Sequence, residues 1–312
     1  MATLSANEIL QDTLDAIKIK LPMLRAMSTD FSSATAKKGD TITAHIRTLP
    51  SVQDYDANTG FKANAAEASS LLTDVPVTLD RFKHVNVKVD YIDHISSRKN
   101  LYQSAVADLG YVLAKDMIDY VLGLMNDSNA TYEEVESIAN TQLETLEKVR
   151  TKLNTNGAGD NRFGIVNSAF AQALGNDSRV ASRDYYGQLN GASGYRTFNA
   201  VAGFQSVWEY PSLPSNSVNL SGVFGDPRAF ILASRVPDVG TAAAAAGIPQ
   251  IANFATQTDA ETGLTLLGIS WQEAGTFDAY FTVTALYGAK CGAQAGGAGA
   301  ILDKALCKVV TA

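Results

Sequence analysis

Residues 74–125 read DVPVTLDRFKHVNVKVDYIDHISSRKNLYQSAVADLGYVLAKDMIDYVLGLM, and this stretch sets the framework of the chain. Its first part, Val75 to Tyr91, is strand-like because apolar residues alternate with polar ones. Apolar residues then recur at steps of three and four, which predicts a long helix over residues 96–125 that Ser96 and Ser97 can cap. The apolar stripe comprises Tyr102, Val106, Leu109, Leu113, Met117, Tyr120 and Leu124. A helix of this length is about 40 Å long, so we expect it to be a framework element.

The composition favours a folded chain with large contact surfaces. The 312 residues are 46% hydrophobic, which is enough for a substantial core, in roughly two or three subdomains. Charged residues make up only 18%, which suits extensive subunit contact better than a freely solvated monomer. The net charge is −7 and no long block of Lys and Arg is present, so tight binding to nucleic acid through phosphates is not expected.

Targeting and thiol signals are sparse. No apolar run approaches the roughly 20 residues that a membrane span needs, so we expect no membrane partner. The N-terminus is polar and amphipathic where a signal peptide would have an apolar core, and we therefore expect a cytoplasmic protein. Cys291 and Cys307 have no metal-binding spacing, which predicts reduced structural thiols.

The N-terminal quarter predicts a helix, a linker and an arm. Residues 1–20 are amphipathic and precede Pro22, so this helix either docks on the body or reaches to another subunit. The small polar stretch Ser28–Lys38 predicts a mobile linker. Alternation from Gly39 to Arg47 predicts a half-exposed strand, and strand character resumes at Val75 after a polar stretch. Two strands so far apart in sequence predict a projecting two-stranded arm with a mobile tip.

A second helix is predicted over residues 131–154. Thr131 and Glu134 fit a capping box, basic residues lie near the end, and Asn156-Gly157 stops the helix. The expected buried stripe comprises Val135, Ala139, Leu143, Leu146, Val149 and Leu153.

The remainder predicts short mixed elements, so the expected fold class is α+β. The predicted strands are 163–166, a pair or one bent strand over 197–210, 229–233, the antiparallel neighbours 264–271 and 276–287, and a final strand within 301–310. Ser168 is expected to cap a short helix that ends at Gly175, residues 240–247 to form a loop or short helix, and residues 292–299 to be flexible.

No convincing active site is present in the sequence. There is no phosphate-binding G-x-x-x-x-G-K loop, and the stretch from Asp54 to Gly60 departs from a calcium loop because Thr59 replaces the required glycine. No metal-binding His or Cys spacing occurs. Asp93-His94 is the best remnant of a hydrolase triad, although a satisfied surface histidine is the simpler interpretation. We therefore predict no catalytic, cofactor-binding or metal-binding residues and no enzyme activity.

The order of elements resembles the major capsid (coat) proteins of tailed double-stranded DNA bacteriophages. This shell fold is shared with herpesvirus capsid floors and encapsulins. The likeness covers nearly the whole chain, and three phrases are similar to recurrent phrases in phage coat sequences. These are Arg162-Phe-Gly-Ile-Val-Asn-Ser168, Ala202-Gly-Phe204 through Leu213-Pro214, and Ala285-Leu-Tyr-Gly288.

The resemblance implies a division of the chain and a set of partners. The implied parts are an N-terminal arm (1–38), an extended loop (39–78), a peripheral domain (79–156) with the long spine helix, an axial domain (157–271), and C-terminal strands (272–312) that return towards the peripheral domain. It further implies hexamers and pentamers of the chain in an icosahedral virion capsid, assembled in the bacterial cytoplasm. Scaffolding, portal and decoration proteins are implied partners, and DNA would be enclosed without sequence-specific binding.

Two other functions fit the sequence. An encapsulin-like compartment protein would use the same fold to enclose a cargo enzyme. A cytoplasmic hydrolase that uses Asp93 and His94 is the alternative from a different class. An exported surface-layer protein is disfavoured, because no signal peptide is recognisable.

Overall fold

The computed structural model describes residues 6–20, 22–47, 55, 57–58, 72–89, 100–181, 196–238, 253–260, 262–272, 279–293 and 299–311. The helices are α1 (Ala6–Lys20), α2 (Asn100–Gly123), α3 (Leu143–Thr155), α4 (Ser168–Asn176), α5 (Ser178–Ala181) and α6 (Gly299–Lys304). The strands are β1 (Ser28–Ala36), β2 (Thr41–Arg47), β3 (Leu72–Thr78), β4 (Arg81–Val89), β5 (Glu133–Val135), β6 (Phe163–Val166), β7 (Thr197–Val201), β8 (Phe204–Glu209), β9 (Leu220–Gly225), β10 (Phe230–Pro237), β11 (Asn253–Thr258), β12 (Thr265–Gln272), β13 (Ala279–Cys291) and β14 (Leu306–Val310). The mixture confirms the α+β class.

The first sheet supports the long helix. Its strand order is β1-β10-β13-β12-β11, and β4 pairs with β13 as well. The amphipathic helix α1 and the long helix α2 share one apolar core with strands of this sheet. Leu10, Leu14 and Met117 are almost fully buried there, because each lies on the apolar stripe of its helix. The predicted N-terminal helix is therefore confirmed, and it docks on the body of its own chain.

The second sheet has helices on one side and the first core on the other. Its order is β5-β14-β9-β6-β8-β7, with α3, α4 and α5 packed against it. Side chains alternate across β6, so Phe163 and Ile165 join the first core whereas Val166 joins the second. The rings of Phe163 and Phe230 lie 6.0 Å apart between the two sheets. The two sheets therefore share continuous apolar packing.

The pair β2–β3 forms a separate antiparallel sheet that packs on the body. The register places Thr41 opposite Thr78 and His45 opposite Asp74. Ala44, Ile46, Val75 and Val77 are buried against a cluster from β10, β13 and α6. The predicted two-stranded element is confirmed, and its apolar face is fixed by this packing. Its predicted mobile tip falls almost entirely outside the described residues.

The long helix is confirmed as α2, from Asn100 to Gly123. Leu109, Leu113 and Met117 of the predicted stripe are buried, as are Ile118 and Val121 beside them. The expected caps Ser96 and Ser97 lie outside the described residues. The strand-like stretch before the helix is two strands, β3 and β4, separated at Leu79-Asp80 and paired in different sheets.

The predicted mobile linker over Ser28–Lys38 is wrong, because Ser28–Ala36 form β1. This strand pairs in parallel with β10, starting with Ser28 opposite Ile231. Arg235 Nη1 donates to the Asp30 carbonyl oxygen at 2.7 Å, and Arg235 Nη2 donates to the Asp30 carboxylate at 3.0 Å. A small polar sequence can form an edge strand when a neighbouring strand satisfies its backbone groups.

The first part of the predicted helix over residues 131–154 is also wrong. Residues 133–135 form β5, which pairs in parallel with β14, and α3 begins only at Leu143. Thr131 donates its backbone N–H to Asp303 at 2.9 Å, so it does not cap a helix. Val135, expected in the buried stripe, is 54% exposed. Tertiary pairing with β14 overrode a local helix signal.

The rest of α3 agrees with prediction. Leu143, Leu146, Val149 and Leu153 are buried in the second core. Asn156 is the C-cap and Gly157 follows with φ +74°, a left-handed conformation that glycine adopts readily.

The short elements after Phe163 are largely confirmed. Strand β6, the pair β7–β8 with its turn at Ala202-Gly203, and the antiparallel neighbours β12–β13 form as predicted. Helix α4 is capped by the Asn167 side chain, which accepts from Phe170 N–H at 2.8 Å, in place of the predicted Ser168. Residues 301–310 are divided between α6 and the final strand β14.

Strands β9 and β11 were not predicted. Strand β9 lacks the alternation of apolar and polar residues that marks a half-exposed strand, because all six of its residues, Leu220–Gly225, are buried. Its glycines and serine also give it a weak apolar signal. The expected end of the axial domain, at residue 271, falls inside β12 (Thr265–Gln272), so this strand of the first sheet lies on both sides of that boundary. Residues 240–247 and most of 292–299 lie outside the described residues. Gly292 itself is tightly held, because an added Cβ would lie 1.7 Å from the Asn129 carbonyl oxygen.

Candidate functional site

The histidines form no catalytic group in the described residues. His45 Nδ1 lies 2.8 Å from Asp74 Oδ1 across β2–β3, but both side chains are more than half exposed. His84 is exposed on β4. Asp93 and His94, the alternative hydrolase pair, lie outside the described residues. An exposed His–Asp pair of this kind contributes surface electrostatics.

The described residues contain no cluster of three or more His, Cys, Asp or Glu side chains arranged to hold a metal ion. Likewise, no helix in the described ranges is both long and apolar enough to cross a membrane. Burial raises the pKa of both Cys291 and Cys307 to about 12, so these free thiols stay protonated and unreactive at neutral pH. This agrees with the predicted structural role.

An open cleft of about 370 Å³ lies between β5 and α3. Its lining residues are Glu134, Glu144, Glu147, Lys148, Thr151 and Lys152. Lys152 Nζ lies 2.5 Å from Glu134, and Lys148 donates to Glu136 at 3.3 Å. The Glu136 carboxylate raises the pKa of Lys148 above its usual range. Both lysines of the cleft are thus paired with glutamates on a solvated face, where such ion pairs are weak.

A group of tyrosines fixes α2 to the strands around it. Tyr287 on β13 donates its hydroxyl to Asp116, and Tyr120 donates to Asp80 at 3.0 Å. The Arg81 guanidinium lies over the Tyr120 ring, 4.6 Å from its centre. Burial and these carboxylates raise the pKa of both tyrosines, so they remain hydrogen-bond donors at any physiological pH. The cluster is structural, since every hydroxyl is used to hold the helix.

The two-stranded sheet offers the clearest interaction surface. Its polar face carries the Thr41–Thr78 hydroxyl pair at 3.2 Å and the His45–Asp74 pair, and these residues are exposed. Leu72, at the end of β3 that leads towards residues 48–71, is 50% exposed. Gly288 fixes the opposite end, where the Thr78 backbone approaches β13 more closely than any side chain would permit. The element is therefore attached at its base and available along its outer face.

Comparison with known proteins identifies the fold. No protein-family model and no curated protein sequence matches the chain. The capsid of cyanophage P-SCSP1u matches with a TM-score of 0.54 at 12% identity, over 92% of this chain and 86% of that one.

The capsid of Ralstonia phage GP4 matches with a TM-score of 0.51 at 10% identity, over 85% and 82% of the two chains. A virus-like particle from Pyrococcus furiosus matches with a TM-score of 0.50 at 10% identity, over 97% of both chains. The predicted capsid-type fold is confirmed.

Proposed function

We propose that this chain is a major capsid protein, which self-assembles into the icosahedral shell that encloses the double-stranded DNA of a tailed bacteriophage. One observation carries the proposal: the chain shares its fold with phage capsid subunits over more than four-fifths of its length. A fold alone does not specify chemistry, but a shell requires only shape and contact surfaces. The described residues supply such surfaces and no catalytic constellation, and we propose no enzyme activity.

The proposed division of the chain follows the fold. Residues 1–38 would form the N-terminal arm, residues 39–78 the extended loop across a neighbouring subunit, and residues 79–156 the peripheral domain with α2 as its spine. Residues 157–271 would form the axial domain, built around β6 to β9 of the second sheet, and residues 272–312 would return towards the peripheral domain. The exposed outer face of β2–β3 supports the contact with a neighbour. Many modest contacts of this kind sum across hexamers and pentamers.

The charge of the chain suits a container for packed DNA. At a net charge of −7, the wall would not immobilise the polyanion, so DNA is enclosed without sequence-specific binding. Assembly would take place in the host cytoplasm and give a virion capsid. Scaffolding, portal and decoration proteins complete the proposed set of partners.

Expression of the chain alone in bacteria tests the proposal. Negative-stain electron microscopy and sedimentation should show closed shells, tubes or ring-shaped capsomers. A chain that remains a 33.1 kDa monomer at high concentration, with or without co-expressed phage scaffold, would contradict it.

A loop deletion tests the proposed contact across subunits. Removing residues 50–71 leaves both β2 and β3 intact, so the subunit should fold while shell assembly is lost. The matched control is Asp160→Ala, which changes one exposed side chain before β6 and leaves β2 and β3 unaltered. Shells that form equally well after the deletion would show that the loop makes no essential contact.

An encapsulin-like compartment is the second candidate, because a Pyrococcus furiosus particle matches nearly all of both chains. The contents of purified particles distinguish the two functions. Nuclease-protected DNA of phage length supports the capsid, whereas a co-purifying enzyme in place of DNA supports the compartment.

A further inference from the structure

Free strand edges are the first feature to consider, since each exposes unpaired backbone groups to other chains. The strands with a single partner strand among the described residues are β1, β2, β3, β4, β5, β7 and β11. Soluble proteins protect such edges with charges, prolines or bulges.

All these strands except β11 carry a protective device. β1 is interrupted by a register shift between Phe31 and Thr35, and β7 is interrupted at Ala200, which has a φ of +55°. Charged residues or a proline occur on the others: Arg47 on β2, Asp74 and Pro76 on β3, Arg81, Lys83 and Lys88 on β4, and Glu133 and Glu134 on β5.

Strand β11 has none of these protections. Its sequence, Asn253-Phe-Ala-Thr-Gln-Thr258, contains no charge and no proline, and all six residues pair with β12 in an unbroken register. Phe254 lies at the outer end of a row of residues that are opposite one another on neighbouring strands. The other members of this row are Ile269 on β12, Thr282 on β13 and Asn86 on β4. The Phe254 side chain is 39% exposed. A neutral, regular edge with an exposed aromatic residue is a site that accepts another strand.

We propose that β11 pairs edge to edge with β11 of a second copy of this chain, antiparallel across a twofold axis. The proposal rests on the proposed function, because a shell brings many identical copies together. Every other described edge strand carries a charge, a proline or a bulge that opposes pairing, so β11 itself is the described strand that fits without an obstacle. The contact joins the first sheets of two subunits into one continuous sheet.

The symmetry restricts the register. Opposite residues in an antiparallel pair share a face, so a twofold axis perpendicular to the sheet must lie midway between one residue of β11 and the same residue of the other copy. Ala255 and Gln257 face α1, where Gln257 Nε2 donates to Gln11 at 3.0 Å, and Phe254 and Thr256 face outward. Centring the axis on Ala255 or on Thr256 gives the longest overlap. In either register, one of these residues meets its own copy.

Charge on β11 tests the proposal. The double variant Phe254→Lys with Thr256→Lys places like charges opposite one another, so we expect assembled protein to fall by roughly tenfold or more while the subunit still folds. The control Gln205→Lys adds a charge to β8, an exposed position on a strand with partners on both sides. If the wild type forms shells and the double variant forms them equally well, this contact is wrong and the shell function stands. A wild type that never assembles overturns both.

Cysteine scanning keeps the test valid even if the charged variant does not fold. Thr256→Cys and Ala255→Cys are made singly, and the native Cys291 and Cys307 are buried and give no background. Residues opposite their own copies have Cα atoms about 5 Å apart, which suits a disulfide. Oxidised particles of one of these variants should yield disulfide-linked dimers in denaturing gels, and Gln205→Cys should not. Dimers from neither variant would overturn the proposal.

Discussion

At the scale of single residues, backbone contacts through glycine are the least replaceable features of the molecule. A Cβ on Gly288 would lie 2.1 Å from the Thr78 carbonyl oxygen, a separation that no side chain could relieve by rotating. This glycine lets the base of β2–β3 lie directly on β13. The attachment of β2–β3, the proposed intersubunit element, therefore depends on the absence of a Cβ atom at Gly288.

We expect Gly288→Ala to destabilise the subunit by about 3 kcal/mol or more, since strand backbones must move apart in a packed core. Denaturant unfolding of dissociated subunits measures the change. Gly123→Ala is the control, because nothing lies within 4 Å of its Cβ and alanine favours a helix by up to about 1 kcal/mol. Equal stability of the two variants would contradict the contact with Thr78.

The Asp177 carboxyl should make the folding stability of the subunit sensitive to acid. Its hydrogen bond from the Arg179 side chain lowers the pKa of this carboxyl from 3.8 to about 2, and it also accepts from Leu143 N–H at the start of α3. A depressed pKa stabilises the fold above the unfolded value, and this contribution is lost as pH falls from about 4 to about 2. Asp177→Asn should flatten that part of the stability profile relative to wild type. Asp160→Asn, at an exposed carboxyl, should leave the profile unchanged.

At the scale of elements, the segment between α2 and α3 shows how pairing competes with local preference. Thr131 and Glu134 have the spacing of a capping box, yet Asp303 accepts from Thr131 and β14 pairs with residues 133–135. Helix α3 instead begins where Thr145 Oγ1 accepts from Gln142 N–H at 3.3 Å. The helix thus starts at its own local cap, because β14 pairs with residues 133–135 and keeps them in a strand.

Two alanine substitutions distinguish the strand from the predicted helix. Leu146→Ala should cost about 2–5 kcal/mol, because this side chain is fully buried on α3. Val135→Ala should cost no more than about 0.5 kcal/mol, since Val135 is exposed on β5. A helix over residues 131–154 would bury both side chains, and comparable losses in denaturant unfolding would therefore favour it.

At the scale of the whole molecule, shared packing leads us to expect that the two sheets unfold as one cooperative unit. Phe163 on β6 packs against Phe230 on β10, and Leu220, Val223 and Leu306 of the second sheet belong to the core beneath α1 and α2. Apolar packing of this continuity couples the stability of the two sheets. A subunit built in this way would enter a shell as a single rigid block.

The two tryptophans measure that coupling, since Trp208 lies on β8 and Trp271 on β12. In dissociated subunits, Trp208→Phe and Trp271→Phe leave one reporter in each sheet, and their thermal transitions should coincide. Phe230→Ala should lower the free energy of unfolding by about 3–5 kcal/mol, and both tryptophans should report the same decrease. Transitions that separate would show that the sheets unfold independently.

The sequence by itself determined the elements whose signals are local and periodic. Helices α1 and α2 have apolar stripes, β2 alternates between two faces, and Asn156-Gly157 ends α3, so each could be predicted before any contact was known. Their order also sufficed to predict the capsid-type fold.

The tertiary structure decided which strands pair and which edges stay open. Ser28–Ala36 is a strand only because β10 satisfies its backbone, and residues 133–135 are a strand only because β14 lies beside them. Among the described strands, only the pattern of pairing shows that β11 is an edge strand without a charge, a proline or a bulge. Pairing is a property of two distant segments, and the free energy that selects it comes from hydrogen bonds and burial that neither segment encodes alone.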